Sequence, residues 1–142
     1  MIKISKLADY AIAIMHTLMA TNTCLSVAKI ALKTRISAPT ASKILKKLTE
    51  ARLLASVSGP KGGYQLNQAA ETITLAQLVS AIDGRPAMTT CCEKEYDCAR
   101  DRICGQQNNW RKINAMVFSV LENVLLKDMM SHDVLNKRET IP

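Results

Sequence analysis

Four of the five cysteines fall between Cys91 and Cys104. Cys92, Cys98 and Cys104 are evenly spaced, with five residues between consecutive members, in a charged segment without apolar periodicity. Thiolates are soft ligands of the kind that hold iron–sulfur clusters, and a flexible loop lets three of them converge on one face of a cluster. Structural zinc is the main rival. It usually takes four nitrogen or sulfur ligands, with a hook of two cysteines two to four residues apart. The tight pair here is Cys91-Cys92, adjacent residues that seldom bind one zinc together, and His16 and His132 lie far away in sequence. On spacing alone, a cluster, zinc, a thiol redox switch and inert thiols all stay open. Cys24, alone after the first helical stretch, reads as a small packed apolar side chain.

A second set of residues suits a polyanion. The chain has 19 Lys and Arg against 12 Asp and Glu, a formal charge of +7, and nucleic acid is the commonest partner for that balance. Thr40, Lys43 and Lys47 recur at i, i+3 and i+7, which places them on one stripe of a helix opposite Ile44 and Leu48. Arg35 and Lys46 lie nearby, and the hydroxyls of Ser37 and Thr40 at the helix start can bond phosphates or base edges. A solvated basic face is the plain alternative. The run Gly59-Pro60-Lys61-Gly62-Gly63 tilts the balance: its glycines, Gly62 among them, permit a tight turn and close approach to a sugar-phosphate backbone, and Lys61 adds charge. An enzyme is disfavoured, because no histidine lies near the cysteines and no glycine-rich phosphate loop opens a helix.

The elements that position these groups follow from periodicity and caps. Leu7, Tyr10, Ala11, Ile14, Met15 and Leu18 mark a helix from Ser5 to about Ala20. Ser26 caps a short second helix, and Ser37 with Pro39 starts a third that runs to about Ala51. Two short strands flank the glycine turn. Thr74 caps a fourth helix that stops at Asp83-Gly84. A cysteine-rich loop then leads to a last helix of roughly 106–129, carrying an apolar stripe of Trp110, Ile113, Val117, Val120 and Val124 that needs a cover. The expected fold is mainly α: a winged helix-turn-helix with a small β-hairpin wing and a long C-terminal dimerisation helix. The divisions are 1–84 for DNA binding, 85–105 for the cysteine loop, 106–130 for dimerisation and 131–142 for a flexible tail. No stretch approaches the roughly 18 apolar residues of a membrane span, and no cleavage site follows the apolar run near the start. A cytoplasmic protein that does not enter a membrane is expected.

Several of these runs resemble one family. The opening Ile4-Ser5-Lys6-Leu7-Ala8-Asp9-Tyr10-Ala11 is similar to the start of the Rrf-two (Rrf2) family of winged-helix iron–sulfur transcriptional regulators, IscR/NsrR-like in type. So are the wing from Val57 to Tyr64, Ile73-Thr74-Leu75, and the run from Ala81 to Gly84. The stretch from Asn109 to Asn114, with the later run from Leu126 to Met129, looks most like the branch that regulates the SUF iron–sulfur assembly system. The resemblance implies a homodimeric repressor that binds a palindromic operator in double-stranded DNA. It implies an iron–sulfur cluster on Cys92, Cys98 and Cys104, 2Fe-2S ahead of 4Fe-4S, and a nitric oxide or redox sensor as the neighbouring alternative. Some members carry a histidine where this chain has Gln107, so the fourth ligand is open. Asp9, contributed by the opposite subunit, is ranked ahead of Cys91, Glu93 and Gln107.

Overall fold

A computed structural model describes residues 3–130; the tail expected at 131–142 lies outside the described residues. Helices α1 (Lys6–Thr21), α2 (Val27–Thr34) and α3 (Ala38–Glu50) lead into a hairpin of β1 (Leu54–Val57) and β2 (Gly63–Leu66), followed by α4 (Leu75–Asp83) and α5 (Gln107–Glu122). This is the mainly helical winged arrangement that the periodicity predicts. The caps explain most of the boundaries. Ser5 and Ser26 accept hydrogen bonds from the N–H groups of Ala8 and Lys29, and Thr74 forms a reciprocal capping box with Gln77. Ser37 differs: its hydroxyl donates to Thr40 Oγ1 at 2.8 Å and makes no cap bond, so α3 starts on the proline in its first turn.

One core holds the helices together. Ile14, Met15 and Leu18 of α1 meet Ile30 of α2, Ile44, Leu45 and Leu48 of α3, and Leu78, Val79 and Ile82 of α4. Truncating any one of these to Ala would cost about 2–5 kcal/mol, the usual range for a filled aliphatic core. The wing is antiparallel, with Leu54 opposite Leu66 and Val57 opposite Gly63. It is tied to the segment before α2, because Leu25 and Tyr64 exchange backbone hydrogen bonds of 3.0 and 2.8 Å. A Cβ on Gly63 would run into the Leu25 carbonyl, and one on Gly62 into the carbonyls of Val57 and Gly59. The close approach these two glycines allow is therefore to the protein's own backbone.

The end of the chain departs from expectation. α5 stops at Glu122, about two turns early, and Asn123 helps to stop it by donating from Nδ2 to Ser119 O at 2.7 Å. The following segment is extended enough for Val124 O to accept from Leu75 N, and for Leu126 N to donate to Ile73 O, both at 2.8 Å. Val124 and Leu126 alternate into the core, and His16 Nε2 donates to the Leu126 carbonyl at 3.1 Å. The chain then turns again as a 3-10 helix, Leu126–Met130, and burying Val124 and Leu126 offsets the break in α5. No helix of the described residues is long and apolar enough to cross a membrane.

Candidate functional site

The exposed face of α3 is basic, but it is rotated from the stripe inferred from spacing. Ser42, Lys43 and Lys46 are exposed, with Arg35 and Ser37 beside them, whereas Thr40 is half-buried. Lys47 borders the buried stripe of Ile44 and Leu48, and its Nζ donates to the Ile82 carbonyl at 2.7 Å. It does not join the outward row. Ser42 was missed in the sequence, where a small polar residue in a helix carries little signal. Arg35 ends α2 in the left-handed region, at φ 56, and so stands out of the turn between α2 and α3. Lys61 is exposed at the wing tip, on the turn closed by Gly62 N donating to Gly59 O at 2.9 Å.

The cysteine loop leaves α4 at Gly84 and is pinned to α5 at several points. Asn114, buried on α5, accepts from Met88 N at 2.9 Å and donates to Pro86 O at 3.1 Å. A single 3-10 turn, Thr90–Cys92, follows; Arg111 Nε donates to the Cys91 carbonyl at 3.2 Å. Thr89 Oγ1 lies 3.2 Å from Cys91 Sγ and 3.3 Å from Cys92 Sγ. Further on, Tyr96 donates to Asp101 Oδ1 at 2.9 Å and accepts from Gln107 Nε2 and from Arg111 Nη2. The hydrogen bond to Asp101 raises the Tyr96 phenol above its usual range, with desolvation and the carboxylate's charge acting in the same direction. Gln107 also donates to Asp101 Oδ1 at 2.7 Å. Its amide is thus spent on closing the loop, an arrangement that spacing could not show.

Cys91, Cys92, Cys98 and Cys104 are all reduced and half-buried. Among the described residues no three Cys, His, Asp or Glu side chains converge closely enough to hold a metal. The three thiols share one loop without sharing a centre in this conformation. The donor set suits a soft, thiolate-bound iron centre by its chemistry, and the segment from Glu93 to Arg100 contains no regular helix or strand that would oppose convergence. Asp9 is exposed on α1, in a shallow cleft with Tyr10, His16, Thr34 and Arg35 and no residue of the cysteine loop. Glu93 is exposed on the loop itself.

On α5, Trp110, Ile113 and Val120 are 38, 41 and 45% exposed, and Met116, absent from the inferred stripe, is 69% exposed. Val117 is half-buried. Val124 does not belong to this face, because it is buried in its own chain beyond the end of the helix.

Residues 4–132 match the sequence profile of the Rrf2 family, described as "Iron-dependent Transcriptional regulator". The HTH-type transcriptional regulator IscR of Vibrio vulnificus (strain YJ016) is 34% identical over 89 residues, which cover 63% of this chain and 52% of that protein. Its counterpart in Vibrio cholerae is 32% identical over 94 residues, covering 66% and 54%. The chain thus spans about half the length of the curated relatives it matches. Among solved structures, CymR (YrzC), the global cysteine regulator of B. subtilis, superposes with a TM-score of 0.67 at 26% identity, over 91% of this chain and 96% of that one. T. potens IscR superposes with a TM-score of 0.64 at 22% identity, over 99% and 94% of the two chains, a likeness of fold.

Proposed function

The chain belongs to the Rrf2 family of transcriptional regulators, and from that premise we propose that it is an iron–sulfur-dependent DNA-binding repressor of SUF-type cluster-assembly genes. In this reading it works in the cytoplasm as a homodimer on a palindromic operator. The observation that carries it is the loop of evenly spaced, half-buried, reduced thiols pinned through Asn114 and Arg111 to α5. Cys92, Cys98 and Cys104 are the residues that would hold the cluster. When bound, a 2Fe-2S or 4Fe-4S centre supplies iron–thiolate bonds whose making and loss report iron or oxidant.

The residues of the chain do the rest. Lys43, Lys46, Arg35 and Lys61 neutralise phosphates, while Ser37, Ser42 and Thr40 offer hydroxyls near base edges. Trp110, Ile113, Met116 and Val120 of α5 are the apolar face that a second copy would cover, with Val117 at its edge. Asp9, exposed on α1, is the candidate fourth ligand from that second copy, ahead of Cys91. A loop arrangement that differs between occupied and empty states changes operator affinity by its differential stability with and without DNA.

A thiol-based redox sensor is the second reading. The likeness to a regulator named for cysteine favours it. Anaerobic reconstitution with iron and sulfide, followed by visible spectra, decides between them. Cys92→Ala, Cys98→Ala and Cys104→Ala should each lose the brown chromophore while Cys24→Ala keeps it. A full complement of iron and sulfide in Cys98→Ala would overturn the assignment of Cys98 as a ligand, and a parent protein that takes up no chromophore would overturn the cluster reading in favour of the thiol sensor.

A further inference from the structure

Lys47 is the basic residue of α3 that is committed inside the protein. Its ammonium donates to Ile82 O at 2.7 Å, one of the carbonyls that α4 leaves unpaired at its C-terminal end. α4 carries no basic residue in its own last turn. The cation that offsets the negative end of this helix therefore comes from α3.

The same turn of α4 is a junction. Asp83 accepts from the N–H and hydroxyl of Ser5 at the start of α1. Gly84 ends the helix at φ 82, and its N–H donates to Ser80 O at 3.1 Å. Arg85 places its guanidinium 4.7 Å over the ring of Phe118 on α5. Two residues later the chain is in the cysteine loop, held by Asn114 at Pro86 and Met88. A continuous run of directional contacts thus joins the loop, the end of α4 and, through Lys47, the helix α3 whose opposite edge carries exposed Lys43 and Lys46. Those two exposed lysines have no hydrogen bond to α4 of this kind.

We propose that Lys47 is a positioning residue that couples the state of the cysteine loop to α3, and is not itself a DNA contact. The inference rests on the reading of α3 as the DNA-facing helix. Its ammonium is directed to the part-buried Ile82 carbonyl and makes no phosphate contact in this proposal, so removing the charge should change little the number of counterions released on DNA binding. It does loosen the turn from which the loop departs, and α3 loses its register to that turn.

The test uses the full chain, Lys47→Met (which keeps most of the stem), Lys47→Arg and Lys43→Met. Hydrogen exchange is read at the amides of Gly84 and Met88, and binding to a mixed-sequence DNA duplex is read over a salt series. Lys47→Met should speed exchange at these amides about tenfold, the order of one charged hydrogen bond. The slope of log affinity against log salt should stay unchanged, and Lys47→Arg should restore protection. Lys43→Met should do the reverse, lowering the slope by about 1 with exchange unaltered. Coupling is read in a Cys24→Ala background: carboxamidomethylation of the loop thiols should shift duplex affinity severalfold while Lys47 is present and leave it unchanged in Lys47→Met. The proposal is overturned by a slope reduced by about 1 in Lys47→Met, by unaltered exchange, or by an equal or absent response to carboxamidomethylation. If the parent protein does not bind the duplex, the DNA reading fails. The exchange measurement then still decides whether Lys47 holds the turn.

Discussion

Replacing Asn114 with Ala removes two hydrogen bonds at once: the one accepted from Met88 N at 2.9 Å and the one donated to Pro86 O at 3.1 Å. Asn114 is 9% exposed, so water does not easily take over both roles. A net value of about 1 kcal/mol for each bond gives a loss of roughly 2 kcal/mol, rising toward about 4 kcal/mol if the freed N–H and carbonyl stay buried and unpaired. For a chain of this size, 1 kcal/mol corresponds to about 3–5 °C in Tm, so a fall of roughly 6–10 °C is expected at the lower figure. Asn114→Asp separates the two bonds. Its carboxylate still accepts from Met88 N, but it sets an oxygen against Pro86 O, where the amide had set a donor. Thermal unfolding followed by circular dichroism gives the stability, and hydrogen exchange at Met88 gives the local effect. The amide should exchange faster in Asn114→Ala and remain protected in Asn114→Asp. If Asn114→Ala lowers Tm by less than 2 °C and Met88 exchange is unaltered, the loop is not anchored by this residue and the reasoning is wrong.

On the wing, Lys61→Glu should weaken binding to operator and random duplexes alike and flatten the salt dependence, because the contact proposed for it is with phosphate. Changing Ser42 or Thr40 should instead alter preference among sequences, by about 1–3 kcal/mol where a base contact is lost; competition binding at two salt concentrations separates the cases. Val120→Asp should give monomers by sedimentation, since it would place an unpaired charge in a covered apolar face, whereas Val124→Asp should destabilise the chain itself, because Val124 is buried within it. The Tyr96 phenol, raised by its bond to Asp101, should ionise above the ordinary tyrosine range. The stability it adds is present below pH 10 and is lost as pH rises through the raised value. Phenolate absorbance should show the last-titrating component vanish in Tyr96→Phe and move down in Asp101→Asn. Gly63→Ala should destabilise the wing, because its Cβ meets the Leu25 backbone, and an unchanged Tm would refute that account.

The helical core was legible in the sequence because its signals are local. A 3.6-residue spacing of Ile14, Met15 and Leu18, or of Ile44, Leu45 and Leu48, states which face must be buried. Ser5, Ser26 and Thr74 mark helix starts through bonds to N–H groups three residues on. The even spacing of Cys92, Cys98 and Cys104 proposes a soft donor set from residue type alone, and the described conformation does not bring the three together. What spacing could not assign was the use of residues on the border between faces. Lys47 sits about a helical turn from both Ile44 and exposed Lys43, and whether it points outward depends on whether α4 ends within its reach. Val124 has the spacing to continue the α5 stripe, but the backbone pairing of Val124 and Leu126 with Leu75 and Ile73 takes the chain out of the helix first. Gly62 and Gly63 allow close approach to any backbone; that the neighbours are Val57 and Leu25 is a matter of how the hairpin docks. Gln107 became a loop clasp because Tyr96 and Asp101 fold back to meet it. For Lys47, Gly63 and Val124 the deciding partner is distant along the chain, and its energy enters only when tertiary packing brings the two together.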